Sequence, residues 1–388
     1  MDILNYIIWS ANPEIFPNLD WGIIGNIRWY GLLFAVAFIV GQQIMLYIFK
    51  KENKPEKDIE TLTIYIVLAT IIGARLGHVF FYEPDRFLAD PLEIFMIQKG
   101  GLASHGAAIG ILTGIYIYSN YLIKIGFSKP KFVFKKQKRE GQNFLWVVDR
   151  IVIVVALGGC FIRIGNFINS EIIGKPTDKP IGVLFARDII DQFEFDNNVE
   201  DVSVIRASQM LKDSLRKNPI EIKIDFKKND YQEKQLHSYL QNNYKYILTN
   251  YESVTMQVDE SIDTPLNYEL SSNNDGSYSA TIFTWGVPRH PAQLYEAFTS
   301  LMLCFLLYWI WTLRKTNLPY GRLLGLFLVI LFGLRFFHEL FKENQVDFEA
   351  AIPLNMGQWL SIPMVIAGLY ILVQSYRSIN NPANHQKE

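Results

Sequence analysis

Seven long apolar runs organise the chain, at about 22–49, 61–82, 102–123, 145–164, 292–313, 323–341 and 357–376. Each approaches or exceeds the roughly 20 residues that a helix needs to cross a hydrocarbon core about 30 Å thick. Arg28 interrupts the first run and leaves 30–49 as its clean core. The third opens on the glycine-rich stretch "GGLASHGAAIG" (100–110), which also suits a re-entrant turn. A long polar stretch separates the fourth run from the fifth. Within it "DVSVIRASQMLKDSLRK" (201–217) has helical periodicity, "IEIKIDF" (220–226) alternates with period 2, and "SSNNDGS" (271–277) has turn chemistry. The pattern predicts an all-α polytopic membrane protein of about seven transmembrane helices with a small α+β soluble insert. The expected division is a first membrane part at 1–186, the insert at 187–284, a second membrane part at 285–376 and a tail at 377–388.

Composition agrees with this pattern. Half of the 388 residues are hydrophobic, and 27 Phe, 20 Tyr and 8 Trp make an aromatic content high for a water-soluble domain. The net charge of −1 points to no class of partner, and no nucleic acid is expected. Cys160 and Cys304 both lie in apolar runs, which argues against a disulfide framework or a cysteine metal site. The N-terminus has no basic segment before a short apolar run, so no cleavable signal peptide is expected. The short connections differ sharply in charge. Those at 50–58, 124–142, 314–322 and after 376 hold 16 Lys and Arg, against 3 in 1–21, 83–101 and 342–356. The positive-inside rule then puts the N-terminus and the insert outside and the C-terminus in the cytoplasm.

Five arginines lie within the apolar runs or at their edges: Arg28, Arg75, Arg150, Arg163 and Arg335. A guanidinium at bilayer depth needs a partner or a task. Arg28 and Arg150 fit snorkelling to an interface, and Arg75 fits a structural ion pair. Glu339 follows Arg335 by one helical turn, so an intrahelical salt bridge is one reading of that pair. By the predicted topology, Tyr30, His105, Arg163, Asn166, Asn169, Glu171 and the "RHPAQLYE" stretch (289–296) all fall toward the outer leaflet. Polar groups gathered at one side predict a cavity open to that side.

Two deep arginines suit a phosphate, because guanidinium offers a permanent charge and paired donors. In an outer-leaflet cavity, the matching phosphate is that of a phospholipid headgroup. His105 is the side chain best suited to take a proton near neutral pH. The glycines around it fit either close approach of backbone to an anion or lipid chain, or close packing of helices. No HExxH, GxSxG or P-loop pattern is present. Ser104 and His105 are sequence neighbours that diverge on a helix, which argues against a serine protease. The residues alone thus point to a membrane enzyme that handles phospholipid.

"IRWYG", "GGLASHGAAIG", "RIGNFINSEIIG", "RHPAQLYEA", "LRFFHELF" and "MGQWLSIPM", in that order, resemble the bacterial prolipoprotein diacylglyceryl transferases. The resemblance covers roughly 20–180 and 285–376. It implies transfer of the diacylglyceryl group of phosphatidylglycerol to the lipobox cysteine of a prolipoprotein, at the outer leaflet of the bacterial inner membrane, with a thioether formed and glycerol phosphate released. Residue by residue, it implies that His105 is the signature histidine, Tyr30 the tyrosine of the first span and Arg163 the lipid-binding arginine. Asn166, Asn169 and Glu171 lie beside Arg163, and Arg335 with Glu339 matches the late arginine–glutamate pair. No metal or dissociable cofactor is implied. The substrate's cysteine is the nucleophile, so Cys160 and Cys304 need no role.

Three positions depart from the family pattern. Ala107 stands where a glycine is frequent, Leu331 where a tyrosine is expected one turn before Arg335, and Lys342 where an arginine is common. Two other readings of the chain remain: a phospholipid transporter or scramblase using the same cavity, and a membrane scaffold whose insert binds a partner.

Overall fold

The computed structural model describes residues 6–17, 27–96, 101–125, 132–207, 218–228, 233–343 and 353–380. Six helices are long and apolar enough to cross a membrane. They comprise α1 (Trp29–Lys51), α2 (Lys57–Phe81), α5 (Phe144–Ile168), α10 (Ala292–Arg314), α11 (Arg322–His338) and α12 (Met356–Asn380). The short helix α3 (Pro84–Ala89) follows α2. The third apolar run forms α4 (Ser104–Asn120), a 17-residue helix that ends in the hairpin β2 (Tyr121–Ile125) and β3 (Phe132–Lys136). At 1.5 Å per residue α4 is about 25 Å long.

In the bundle, α5 packs against α1 and α10, α2 against α4, and α11 against α12. The glycines near His105 take part in the α2–α4 contact. A Cβ on Gly106 would strike Gly77 Cα at 2.7 Å, and one on Gly110 would meet Gly73 Cα at 3.0 Å. Of the two roles open to these glycines, helix packing is the one the structure displays. Gly101 turns the chain into α4 with φ +78°, in a space where a Cβ would meet His78 and Arg75. Arg75 fastens this connection, donating to the carbonyls of Glu93 (2.6 Å), Ile94 (2.9 Å) and Gly101 (3.2 Å).

One end of the bundle is locked by a buried ion pair. Glu52, just past α1, accepts from Arg150 Nη2 (2.9 Å), Trp146 Nε1 (3.0 Å) and Trp311 Nε1 (2.6 Å). Both side chains of the Arg150–Glu52 pair are 0% exposed. The expectation that Arg150 snorkels is therefore corrected: a carboxylate one helix away satisfies the guanidinium inside the protein. Nearby Asp149 caps α11, accepting from the backbone N–H of Gly321 (2.7 Å) and Leu324 (2.9 Å). Arg28, by contrast, is exposed, and its backbone pairs with Glu14.

The chain between α5 and α10 forms an α+β unit. β4 (Val183–Phe185) pairs in parallel with β1 (Ile7–Trp9), and α6 (Arg187–Glu194) follows. A four-stranded antiparallel sheet runs in the order β5 (Val199–Arg206), β6 (Pro219–Phe226), β8 (Tyr278–Trp285) and β7 (Tyr268–Ser272). Short helices α7 (Glu233–Tyr239), α8 (Lys245–Asn250) and α9 (Glu252–Thr255) complete the unit. The strand at "IEIKIDF" and the turn at "SSNNDGS" are as the pattern predicts, and Gly276 takes φ +86° in that turn. The helix expected at 201–217 is not: 201–206 belongs to β5, where Val202 and Val204 are buried in the unit's core. Alternating β-branched residues outweigh an apparent 3.6 period over so short a run. Residues 208–217 lie outside those described. Tyr6 also packs into this core and donates to the carbonyl of Pro219 at 3.3 Å, so the N-terminal arm belongs to the unit.

Candidate active site

At the end opposite the Glu52 lock, the termini of five long helices meet. The centre is Glu296, in the second turn of α10. Arg163, near the C-terminal end of α5, places Nε 2.5 Å from its Oε2. Lys342, just beyond α11, places Nζ 2.6 Å from its Oε1. The same Nζ lies 2.8 Å from Glu339 Oε1, and Arg335 Nε is 3.5 Å from that oxygen. Asn355, before α12, donates to Glu339 Oε2 at 3.2 Å. Cations and carboxylates thus alternate from Arg163 to Glu296, Lys342, Glu339 and Arg335.

Along this line three cations alternate with two carboxylates, and Glu171, joined to Arg163 through Asn166, brings the site as a whole to charge balance. Lys342 is 1% exposed and sits between both carboxylates, so its charge is spent inside the network. Arg163 and Arg335 are 20% and 39% exposed. The cations within reach of a ligand are therefore the two guanidinium groups, whose paired donors match a phosphodiester.

The chain after α5 forms one wall. Asn166 Nδ2 donates to Glu171 Oε2 (2.9 Å), Asn169 Nδ2 donates to Glu171 Oε1 (3.1 Å), and the Glu171 N–H donates to the Asn166 carbonyl (2.9 Å). Ser170 and Ile172 have φ of +57° and +55° in this turn. A β-branched residue in the left-handed region is strained, and the Glu171 bonds hold it there. From α10, Gln293 Nε2 donates to the Glu171 carbonyl at 2.5 Å. Tyr30, in the first turn of α1, packs on Gly165, where a Cβ would lie 2.8 Å from its ring. The charges of Glu171 and Arg163 both act on its phenol.

The structure thus brings together Tyr30, Arg163, Asn166, Asn169 and Glu171 on one side, and Arg335 with Glu339 on the other, through Glu296. His105 is placed differently. It is exposed in the first turn of α4, with ring contacts to Phe81 (5.2 Å) and Tyr82 (5.8 Å). Among the described residues it makes no hydrogen bond or ion pair. A groove of about 980 Å³ runs along α2 and α4 from Thr61 to Phe81, lined by Leu68, Ile72, Ile109 and Gly110. With no charged side chain among the described residues of its wall, it suits hydrocarbon and not a headgroup. Leu331 packs with the bundle's apolar core, so no hydroxyl stands one turn before Arg335.

The family model for prolipoprotein diacylglyceryl transferase matches residues 21–374. The chain belongs to this family. It is 34% identical to the phosphatidylglycerol–prolipoprotein diacylglyceryl transferase of Chloroherpeton thalassium over 380 residues, covering 97% of each chain. The enzyme of that name from Tolumonas auensis is 32% identical, over 95% of this chain and 97% of its own. That from Porphyromonas gingivalis is 28% identical over 98% of each. All three matches cover at least 95% of this chain and so run through the α+β unit as well as the bundle.

Sequence reasoning passed over Glu296 and treated Lys342 only as a departure. Glu296 was visible as the one carboxylate of "RHPAQLYE", inside an apolar run. Arg289 of the same motif was also passed over. It donates to the carbonyls of Met256 (2.7 Å) and Gly174 (3.2 Å) and lies 3.4 Å from Glu343, joining the α+β unit to the chain flanking the network. Burial pushes its guanidinium pKa down, opposed by Glu343.

Proposed function

We propose that this chain transfers the diacylglyceryl group of phosphatidylglycerol to the lipobox cysteine of a prolipoprotein, forming a thioether and releasing glycerol phosphate. Family membership and the names of the relatives carry the reaction class. The single structural observation that supports it most is the network around Glu296, whose solvent-reachable cations are Arg163 and Arg335. These two would hold the phosphate and stabilise charge gathering on the leaving group. Tyr30, Asn166, Asn169 and Glu171 would orient headgroup oxygens. The apolar α2–α4 groove would take a lipid chain.

The nucleophile is the substrate thiol, whose free pKa of about 8.5 calls for a base or a positive field. His105 is the proposed base, at the rim of the groove. In this reading α4 completes a seventh crossing, the N-terminus and the α+β unit lie outside the bacterial inner membrane, and the C-terminus lies in the cytoplasm. The α+β unit, pinned by Arg289 beside the network, is in place to meet the incoming precursor.

Lipid translocation is the competing reading. The buried Arg150–Glu52 lock at the far end favours transfer, because a translocation path must open at both ends. Purified protein with phosphatidylglycerol and a lipobox peptide decides between them. Transfer adds a diacylglyceryl mass to the peptide. Movement of fluorescent lipid between leaflets without that mass gain sinks the proposal.

A further inference from the structure

Arg335 and Glu339 occupy positions i and i+4 at the end of α11 and the start of its 3₁₀ extension, and Lys342 follows that turn in extended backbone. His338, at i+3, falls on the same stripe. Its ring is partly buried, and the charges of Glu296 from α10, Arg163 from α5, and Lys342 and Glu339 from its own segment all act on it. From the α12 side the polar neighbours of this segment among the described residues are uncharged: Gln358 donates to the Phe336 carbonyl (3.3 Å) and Asn355 to Glu339. Among the described residues, neither ring nitrogen of His338 has a hydrogen-bond or ion-pair partner.

The network otherwise lacks a group that gives up a proton near neutral pH. Arginine does not deprotonate in proteins. Lys342 is held between two carboxylates, and those carboxylates are themselves ion-paired. An imidazole is the side chain whose ordinary pKa, about 6.5, lies close to the second pKa of a phosphate monoester, about 6.

We propose that His338 is the proton donor to the departing glycerol phosphate. This rests on reading the Glu296 network as the phosphate site. The substrate sulfur forms its bond to the glyceryl carbon, the bond from that carbon to the phosphate oxygen breaks, and its electron pair stays on that oxygen. A diester with one negative charge would leave as a dianion. The His338 imidazolium protonates the oxygen, so that a monoanion leaves and the site again holds one negative charge. The thiol proton passes to the base, and solvent returns a proton to His338. The net change is one proton moved from sulfur to phosphate.

The test compares kcat against pH for wild type and His338→Gln, with saturating phosphatidylglycerol and lipobox peptide. We expect His338→Gln to lower kcat about 10²-fold at the acid end of the profile, where the imidazole is protonated, as for loss of a general acid, with KM for the lipid little changed. Wild type should show a limb that descends as His338 loses its proton. The variant should lack that limb and approach the wild-type rate at high pH. An unchanged profile, or the same fall at every pH, overturns the proposal. His338→Asn is the second probe if the Gln variant does not fold, judged by thermal melting. Arg163→Ala, run in parallel, separates the two readings. If it is as active as wild type, the phosphate site itself is wrong. If it is inactive while His338→Gln behaves as wild type, only the role of His338 fails.

Discussion

Glu296 shows how one residue can set the character of a site. Its carboxylate keeps Arg163 and Lys342, two cations that would otherwise repel, at the junction of α5, α10 and α11. Removing one partner from a buried network leaves uncompensated charge and typically costs about 3–5 kcal/mol. Glu296→Gln is therefore expected to lower the melting temperature and the transfer rate together, the rate because Arg163 loses its anchor. Unchanged melting and turnover in this variant would mean that the network does not depend on Glu296. Individual residues were unevenly legible in the sequence. Arg163 and Arg335 stood out because guanidinium is out of place in an apolar run. Glu296 did not, because its importance lies in partners 133 and 46 residues away in sequence. Lys342 looked like a loop cation, and only the fold shows it buried between two carboxylates.

Among the elements, periodicity served well where the run was long and failed where it was short. The six long helices follow the hydrophobic pattern closely. Alternation located β6, whereas β5 was hidden under a helical reading because eight residues cannot separate the two periods. The glycines of α4 were visible, but their role was not. Either an anion or a helix could approach them, and the partner, α2, is known only from the packing. Within the α+β unit, burial, with the charge of Asp191, pushes the Asp188 carboxyl up to about 6. An aspartate is ordinarily near 3.9 in an unfolded chain. Between these values the folded state binds more protons, so stability falls as pH rises from about 4 to 6. Asp188→Asn should remove this dependence and raise stability above pH 6 by up to about 3 kcal/mol. Gln257, 3.4 Å from the carboxylate, has an amide oxygen to donate to in the variant. Melting curves from pH 4 to 8 test this, and a wild type whose stability rises over that interval while the variant's stays lower contradicts it.

Across the whole molecule, the two ends of the bundle have opposite characters. One is sealed by Glu52, Arg150, Trp146 and Trp311, with the basic β2–β3 hairpin beside it. The other carries the Glu296 network and the α+β unit. The proposed orientation rests on the 16-to-3 imbalance of basic residues, a signal carried by loops that the chain exposes directly. The α+β unit's attachment through Arg289 and the N-terminal arm was not readable, since it rests on backbone carbonyls that no side-chain pattern announces. In a Cys-free background, Lys136→Cys should resist an impermeant thiol reagent added to intact cells and react once the membrane is opened. Labelling in intact cells would invert the orientation. The central claim is that the guanidinium groups of this network hold the phosphate that leaves. Its most direct test uses phosphatidylglycerol labelled in the glycerol headgroup, with a lipobox peptide and either wild type or folded Arg163→Ala. Wild type should release one labelled glycerol phosphate per lipidated peptide, and Arg163→Ala should be slower by about 10² or more, the scale seen when one donor to a developing anion is removed. Release by Arg163→Ala at the wild-type rate would contradict the account.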